Sequence, residues 1–251
     1  MTPIGQETLL AVILMFCRIG GCLMAMPGFS SSRVPVQIRL FIALGITLAL
    51  SPLLETPVRQ AVGDLTPTRT LIAIGSEIGI GLLIGLGARI FFAALSFIGT
   101  LITMSMGFTG MPDTFIEDGE AQPAMATIIT LTATLLFFLS DLHIDVLKAL
   151  IETYTVIPAG SAFPADLSMR RMAITLTDAF MLALQISAPF IVWSLIVNLL
   201  FGILNKLTPQ VPVFFISIPF VLAGGLAVAY FTVGEVLRLF VNAFGLWLWK
   251  G

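Results

Sequence analysis

The stretch "RTLIAIGSEIGIGLLIGLGARIFFAALSFIGTLITMSM", Arg69 to Met106, decides the fold. It reads as helix almost without interruption, and no proline breaks it. At 1.5 Å per residue it extends roughly 55 Å, against a hydrocarbon core of about 30 Å. One simple crossing does not use that length. Either the segment turns back midway or much of it lies outside lipid. It also carries Glu77 and Arg89, two charges in apolar surroundings.

The rest of the chain is built alike. Of 251 residues, 58% are hydrophobic and 10% charged, where soluble chains average about 25% charged. Mean hydropathy is +1.06. So apolar a chain cannot cover its core with polar surface, and the expected class is an all-α integral membrane protein. The net charge of −2 leaves no basic footprint for nucleic acid. No secretory signal pattern is evident: Glu7, and no Lys or Arg, precedes the first apolar run.

Thr8 to Met26 is that run, broken only by Arg18. A turn-rich link follows, and Ile38 to Leu54 is a second run, closed by Pro52. Glu55 to Thr68, with two prolines, reads as a polar loop. After the long third segment, Ala124 to Leu139 is a fourth run. Asp141, Asp145, Lys148 and Glu152 then share one helix face while Leu142, Val146 and Leu150 lie elsewhere, an amphipathic pattern. "IPAGSAFPAD" (Ile157 to Asp166) is a linker. Leu167 to Leu207 is another overlong helical pattern, broken by "NKLTPQVP" (Asn205 to Pro212). Val213 to Leu246 closes the series, followed by Trp247 and Trp249, candidates for an interface belt. The first two links carry similar positive charge (Arg33 and Arg39, then Arg59 and Arg69), so the positive-inside rule does not orient the chain.

Chemistry-bearing patterns are sparse. Cys17 and Cys22, five apart on one helix, do not face each other, so no disulfide between them is expected. One histidine, His143, with two distant cysteines makes no metal site. H-E-x-x-H, Walker A and G-x-S-x-G are all missing, and the spacing Gly79-x-Gly81-x-x-x-Gly85 departs from the dinucleotide fingerprint. No catalytic residues, cofactor or enzyme activity are expected.

Three constellations remain. Gly75 and Gly79, and Gly81 and Gly85, are each four apart, with Gly87 nearby. Small residues so spaced let helices approach closely in a membrane, either within the chain or toward another subunit. Arg18, Glu77, Arg89 and Asp178 are charges in apolar segments, each needing a partner or water. Glu77 and Arg89 lie roughly 18 Å apart along one helix and cannot pair there. Pairs between helices or subunits are expected, for example Arg18 with Glu77; scattered groups make a proton relay the weaker reading.

The third constellation is "SMGFTGMPDTFIEDGEAQP", Ser105 to Pro123. Gly107 and Gly110 permit unusual backbone conformations. Met104, Met106 and Met111 are adaptable apolar side chains, and Phe108 adds area. Together, Met104, Met106, Gly107, Phe108, Thr109, Gly110 and Met111 suit a deformable seal. An inert surface loop is the alternative. The acidic tail with Asp113, Glu117, Asp118 and Glu120 suits an aqueous exit.

Cys17 to Ile46 ("CRIGGCLMAMPGFSSSRVPVQIRLFIALGI"), Ser105 to Phe115 ("SMGFTGMPDTF") and Leu199 to Phe220 ("LLFGILNKLTPQVPVFFISIPF") resemble the FliR/SctT family of type III secretion, in its flagellar branch. The resemblance runs over essentially the whole chain. Its most specific part is the loop with Asn205, Lys206, Pro209, Gln210 and Pro212. The resemblance implies helical hairpins assembled with FliP and FliQ into an export gate, with FlhB and FlhA as further partners. It implies a pore in the bacterial inner membrane, at the flagellar basal body, through which unfolded flagellar proteins pass in contact with no nucleic acid. It also implies a FliP-like part over residues 1–160, a FliQ-like hairpin over 161–251, a plug loop near Met106, and charges paired between subunits. Membrane lipid would surround the assembly. A virulence-type injectisome homologue shares this architecture. A small-solute transporter would need paired broken helices, and the glycine-rich third segment and the break near Thr208 do not correspond.

Overall fold

The third segment does not turn back. In a computed structural model describing residues 5–31, 34–62, 66–107, 115–117, 120–208, 210 and 213–250, it is a single helix of 39 residues, Pro67–Ser105. Three hydroxyls in its last turns do not interrupt it, because they fold back on the helix's own carbonyls. Thr100 donates to Ser96 O, Thr103 to Gly99 O and Ser105 to Leu101 O, at 2.7–3.1 Å. Such back-bonding satisfies a polar side chain without a partner. Tilting the whole helix into a core of about 30 Å would need about 60°, beyond the usual range of roughly 0–40°. Part of it therefore extends past the hydrocarbon.

The helices in chain order are α1 (Gln6–Ala25), α2 (Val36–Val62), α3 (Pro67–Ser105), α4 (Ala124–Leu139), α5 (Leu142–Val156), α6 (Ala165–Leu207) and α7 (Val213–Lys250). Five of them are long and apolar enough to cross a membrane: α1, α2, α3, α6 and α7. The protein is an all-α integral membrane protein.

Two local features depart from expectation. The second apolar run does not stop at Pro52: α2 continues through Pro52 and Pro57 to Val62, taking in much of the expected loop. A proline deprives the carbonyl four residues back of its donor, here Leu48 O. The Ser51 hydroxyl reaches that carbonyl at 2.9 Å, the kind of repair that lets prolines sit inside membrane helices. The second departure is a short antiparallel pair, β1 (Phe115–Glu117) and β2 (Glu120–Gln122), in register Phe115 to Gln122 and Ile116 to Ala121. The intervening sequence is Asp118-Gly119, a pair strongly favoured in two-residue hairpin turns.

The chain forms two compact units. The first comprises Met1–Ile90, Asp141–Leu176 and Trp247–Gly251; the second comprises Phe91–Ser140 and Thr177–Leu246. The first packs Ala11, Leu14 and Met15 of α1 against Leu54 and Val58 of α2, with Ala73, Tyr154 and Ala159. Here α5 presents Leu142, Val146, Leu150 and Tyr154, every fourth residue, to the interior, while Asp145 and Lys148 pair on its outer face at 2.8 Å. The second unit is centred on phenyl rings. Phe92 meets Phe137, Phe240 and Phe244 edge to face at 5.2–6.4 Å, the arrangement that aromatic quadrupoles favour.

Candidate functional site

Arg18 of α1 is fully enclosed, and its guanidinium is shared among three elements. Its Nε and Nη2 donate to Glu77 Oε2 and Oε1 of α3 at 2.5 and 3.0 Å. Its Nη1 donates to Thr153 Oγ1 of α5 at 3.1 Å, and Nη2 also to the Ile157 carbonyl at 3.1 Å. The Gly160 amide donates to Glu77 Oε1 at 3.1 Å. Tyr154 lies beneath the guanidinium, 3.9 Å from its ring centre, a cation–π contact. Side-chain exposure is 0% for Arg18 and 1% for Glu77. A two-pronged arginine–carboxylate pair with further hydrogen bonds is the geometry that offsets the desolvation of buried charges. The node ties α1, α3, α5 and the following linker together; its charges are occupied by each other.

Beside this node runs the glycine seam. A Cβ on Gly81 would overlap the Arg18 carbonyl, and one on Gly85 would overlap the Cys22 carbonyl and Ala25. From the other side, a Cβ on Gly21 would come 2.8 Å from the Ile78 carbonyl. The backbones of α1 and α3 are thus in contact, and the close approach holds Arg18 opposite Glu77. A Cβ on Gly79 would come 3.0 Å from the Phe163 ring, one on Gly87 would overlap the Trp247 ring, and one on Gly75 would meet open space. Gly81 and Gly85 are therefore used within the chain. Gly21 escaped the sequence reading, although it neighbours Gly20 on a helix already bearing a buried charge. Thr153, Ile157 and Gly160 escaped it because a carbonyl, an amide and a common hydroxyl leave no pattern.

The other two charges behave differently. Arg89 and Asp178 are exposed, and no described residue pairs with either. Burial and pairing within the chain hold for Arg18 and Glu77, not for Arg89 and Asp178; these two project from helix faces that the chain leaves uncovered.

At its far end α3 stops at Gly107, which takes φ +77°. A left-handed glycine is a common helix terminator, and here its amide donates to Met104 O at 3.1 Å. Met104 is 57% exposed, while Met106 is 1% exposed. Phe108, Thr109, Gly110 and Met111 lie outside the described residues. Of the loop after α6, Asn205 and Lys206 are exposed on its last turn and Gln210 is exposed in a turn; Pro209 and Pro212 lie outside the described residues. Among the described residues no three His, Cys, Asp or Glu side chains gather as a metal site.

A family model for bacterial export proteins, family 1, matches residues 9–246. The chain is similar to flagellar biosynthetic protein FliR of Caulobacter vibrioides, 29% identical over 234 residues, covering 92% of this chain and 91% of the relative. It is similar also to FliR of Aquifex aeolicus, 27% identical with 96% and 92% covered, and to FliR of Escherichia coli, 28% identical with 84% and 79% covered.

Proposed function

The chain belongs to the bacterial export proteins, family 1, and from that premise we propose that it is a subunit of the flagellar protein export gate in the inner membrane. The match along nearly the whole chain, to a family whose named relatives are flagellar, carries this reading. The five long apolar helices support it, and so do helices too long for one crossing, which suit a subunit whose helices rise out of the bilayer within an assembly. In this reading FliP and FliQ cover the apolar faces left open on α6 and α7, FlhB and FlhA are further neighbours, and unfolded flagellar subunits pass through the pore. Residues 1–160 correspond to a FliP-like part and 161–251 to a FliQ-like hairpin. The exposed Arg89 and Asp178 await partners on other subunits, since an unpaired charge in lipid costs several kcal/mol.

The segment after Ser105, Gly107 to Met111, lies across the channel and closes it against ions. An incoming chain displaces it, and apolar side chains reseal it. The chain carries no nucleotide-binding motif, so the driving energy enters elsewhere. In cells lacking the chromosomal copy, this chain should restore secretion of flagellar subunits into the medium. Transport of a small solute by the chain alone in liposomes would overturn the reading. Deleting residues 107–111 should raise ion leak through the assembled gate without preventing assembly; unchanged conductance would remove the plug role while leaving the gate role standing.

A further inference from the structure

We propose that the Gly224–Gly225 step of α7 is a seat that positions the end of α3, and that Met106 is the residue seated in it. The two glycines are adjacent in the interior of a 38-residue helix, where each weakens the helix relative to alanine. Both are filled by neighbours. A Cβ on Gly225 would come 2.6 Å from Met106 Cγ and 3.2 Å from its Cα and Cβ. A Cβ on Gly224 would overlap the Trp193 ring of α6. One notch thus admits the end of α3 and the next admits α6.

The seat continues along α7. Gly107, the next residue of α3's end, lies 3.4 Å from Val221 Cγ1, measured from the position of a Cβ. Val221 and Gly225 are four apart and share one face of α7. Met106 and Gly107 therefore lie along that face over one helical turn. The Met106 amide still donates to Ile102 O at 3.0 Å, in helical register, and Gly107 then turns left-handed. Helix end, seat and turn coincide within two residues. The contrast with Met104, exposed two positions earlier, separates the methionines by role. A thioether side chain fills an irregular notch well, and this one is enclosed rather than free to close a channel.

Met106 is thus a positioning residue: where it is held determines where residue 107 and all that follows leave the helix. This deepens the gate reading and rests on it for its conductance readout. The experiment uses the complete assembled gate in planar bilayers. Gly225→Ala, whose methyl meets Met106 Cγ, should raise ion leak threefold or more in gates that still assemble. Adding Met106→Ala removes that Cγ and should return the leak to within about twofold of the parent. Adding Met104→Ala instead should give no such rescue. An unchanged leak in Gly225→Ala, or equal rescue by Met104→Ala, overturns the seat. Deleting residues 107–111 in parallel separates the failures: if this deletion also leaves the leak unchanged, the plug reading fails, whereas if only Gly225→Ala is silent, the seat alone fails. Should Gly225→Ala prevent assembly, Met106→Ala alone keeps the test open: it empties the seat without adding an atom to α7 and should raise the leak threefold or more. An unchanged leak in Met106→Ala would overturn the proposal.

Discussion

Arg18 and Glu77, fifty-nine residues apart, meet through two parallel hydrogen bonds of 2.5 and 3.0 Å in a site closed to solvent. Removing one partner strands the other. Arg18→Met leaves the Glu77 carboxylate with the Gly160 amide as its described donor, and Glu77→Met leaves the guanidinium with Thr153 and Ile157. Each single change should cost about 3–5 kcal/mol. The double change Arg18→Met with Glu77→Met should cost clearly less than the sum, because no charge is left unpaired. Thermal midpoints of the four proteins in detergent check this; additive losses would contradict the pairing.

The seam beside that pair predicts opposite signs for two glycines on one helix. Gly81→Ala places a methyl against the Arg18 carbonyl, which is backbone and cannot swing away. The helices must part, at a cost of about 1–3 kcal/mol or more. Gly75→Ala meets nothing within 4 Å and should stabilise α3 by about 0.5–1 kcal/mol through helix propensity. Thermal denaturation of the isolated chain separates the two. Equal effects at both positions would mean that α1 and α3 are not in backbone contact.

How much of this was legible beforehand depends on which physical signal each feature leaves. Long apolar runs locate helices because lipid demands them, and α1, α3, α6 and α7 begin and end within a few residues of their runs. The end of α2 was misread because proline is a strong stop in water, while the repair by Ser51 is a matter of one rotamer. Arg18 and Glu77 stood out because a charge in an apolar run must be compensated. Their other partners did not: Thr153, Ile157 and Gly160 reach the node through the path of the chain after α4, which no spacing encodes. The β1–β2 pair was missed although Asp118-Gly119 announced it, because three-residue strands are too short for periodicity to register.

The repair at Pro52 can be tested by making it unnecessary. Ser51→Ala removes the hydroxyl that serves Leu48 O, and in an apolar setting an unserved carbonyl is costly. The loss should be about 0.5–1.5 kcal/mol. In a Pro52→Ala background the backbone amide at position 52 serves that carbonyl, and Ser51→Ala should then have almost no effect. A thermal double-mutant cycle reads the difference. Equal loss in both backgrounds would show that the hydroxyl does not replace the missing amide.

The two tryptophans near the C-terminal end of α7 should respond differently, although both suit an interface belt by sequence. Trp247 covers Gly87, and its Nε1 donates to Thr175 Oγ1 of α6 at 2.9 Å. Trp249 is 63% exposed. Trp247→Phe keeps an aromatic ring but loses the donor, and should cost about 1 kcal/mol. Thr175→Val removes the acceptor from the same bond, so combining the two should add little to either alone. Trp249→Phe should stay within about 0.5 kcal/mol of the parent, as surface substitutions do. Thermal midpoints in detergent decide the matter; a larger loss from Trp249→Phe than from Trp247→Phe would reverse the assignment of structural and interfacial roles.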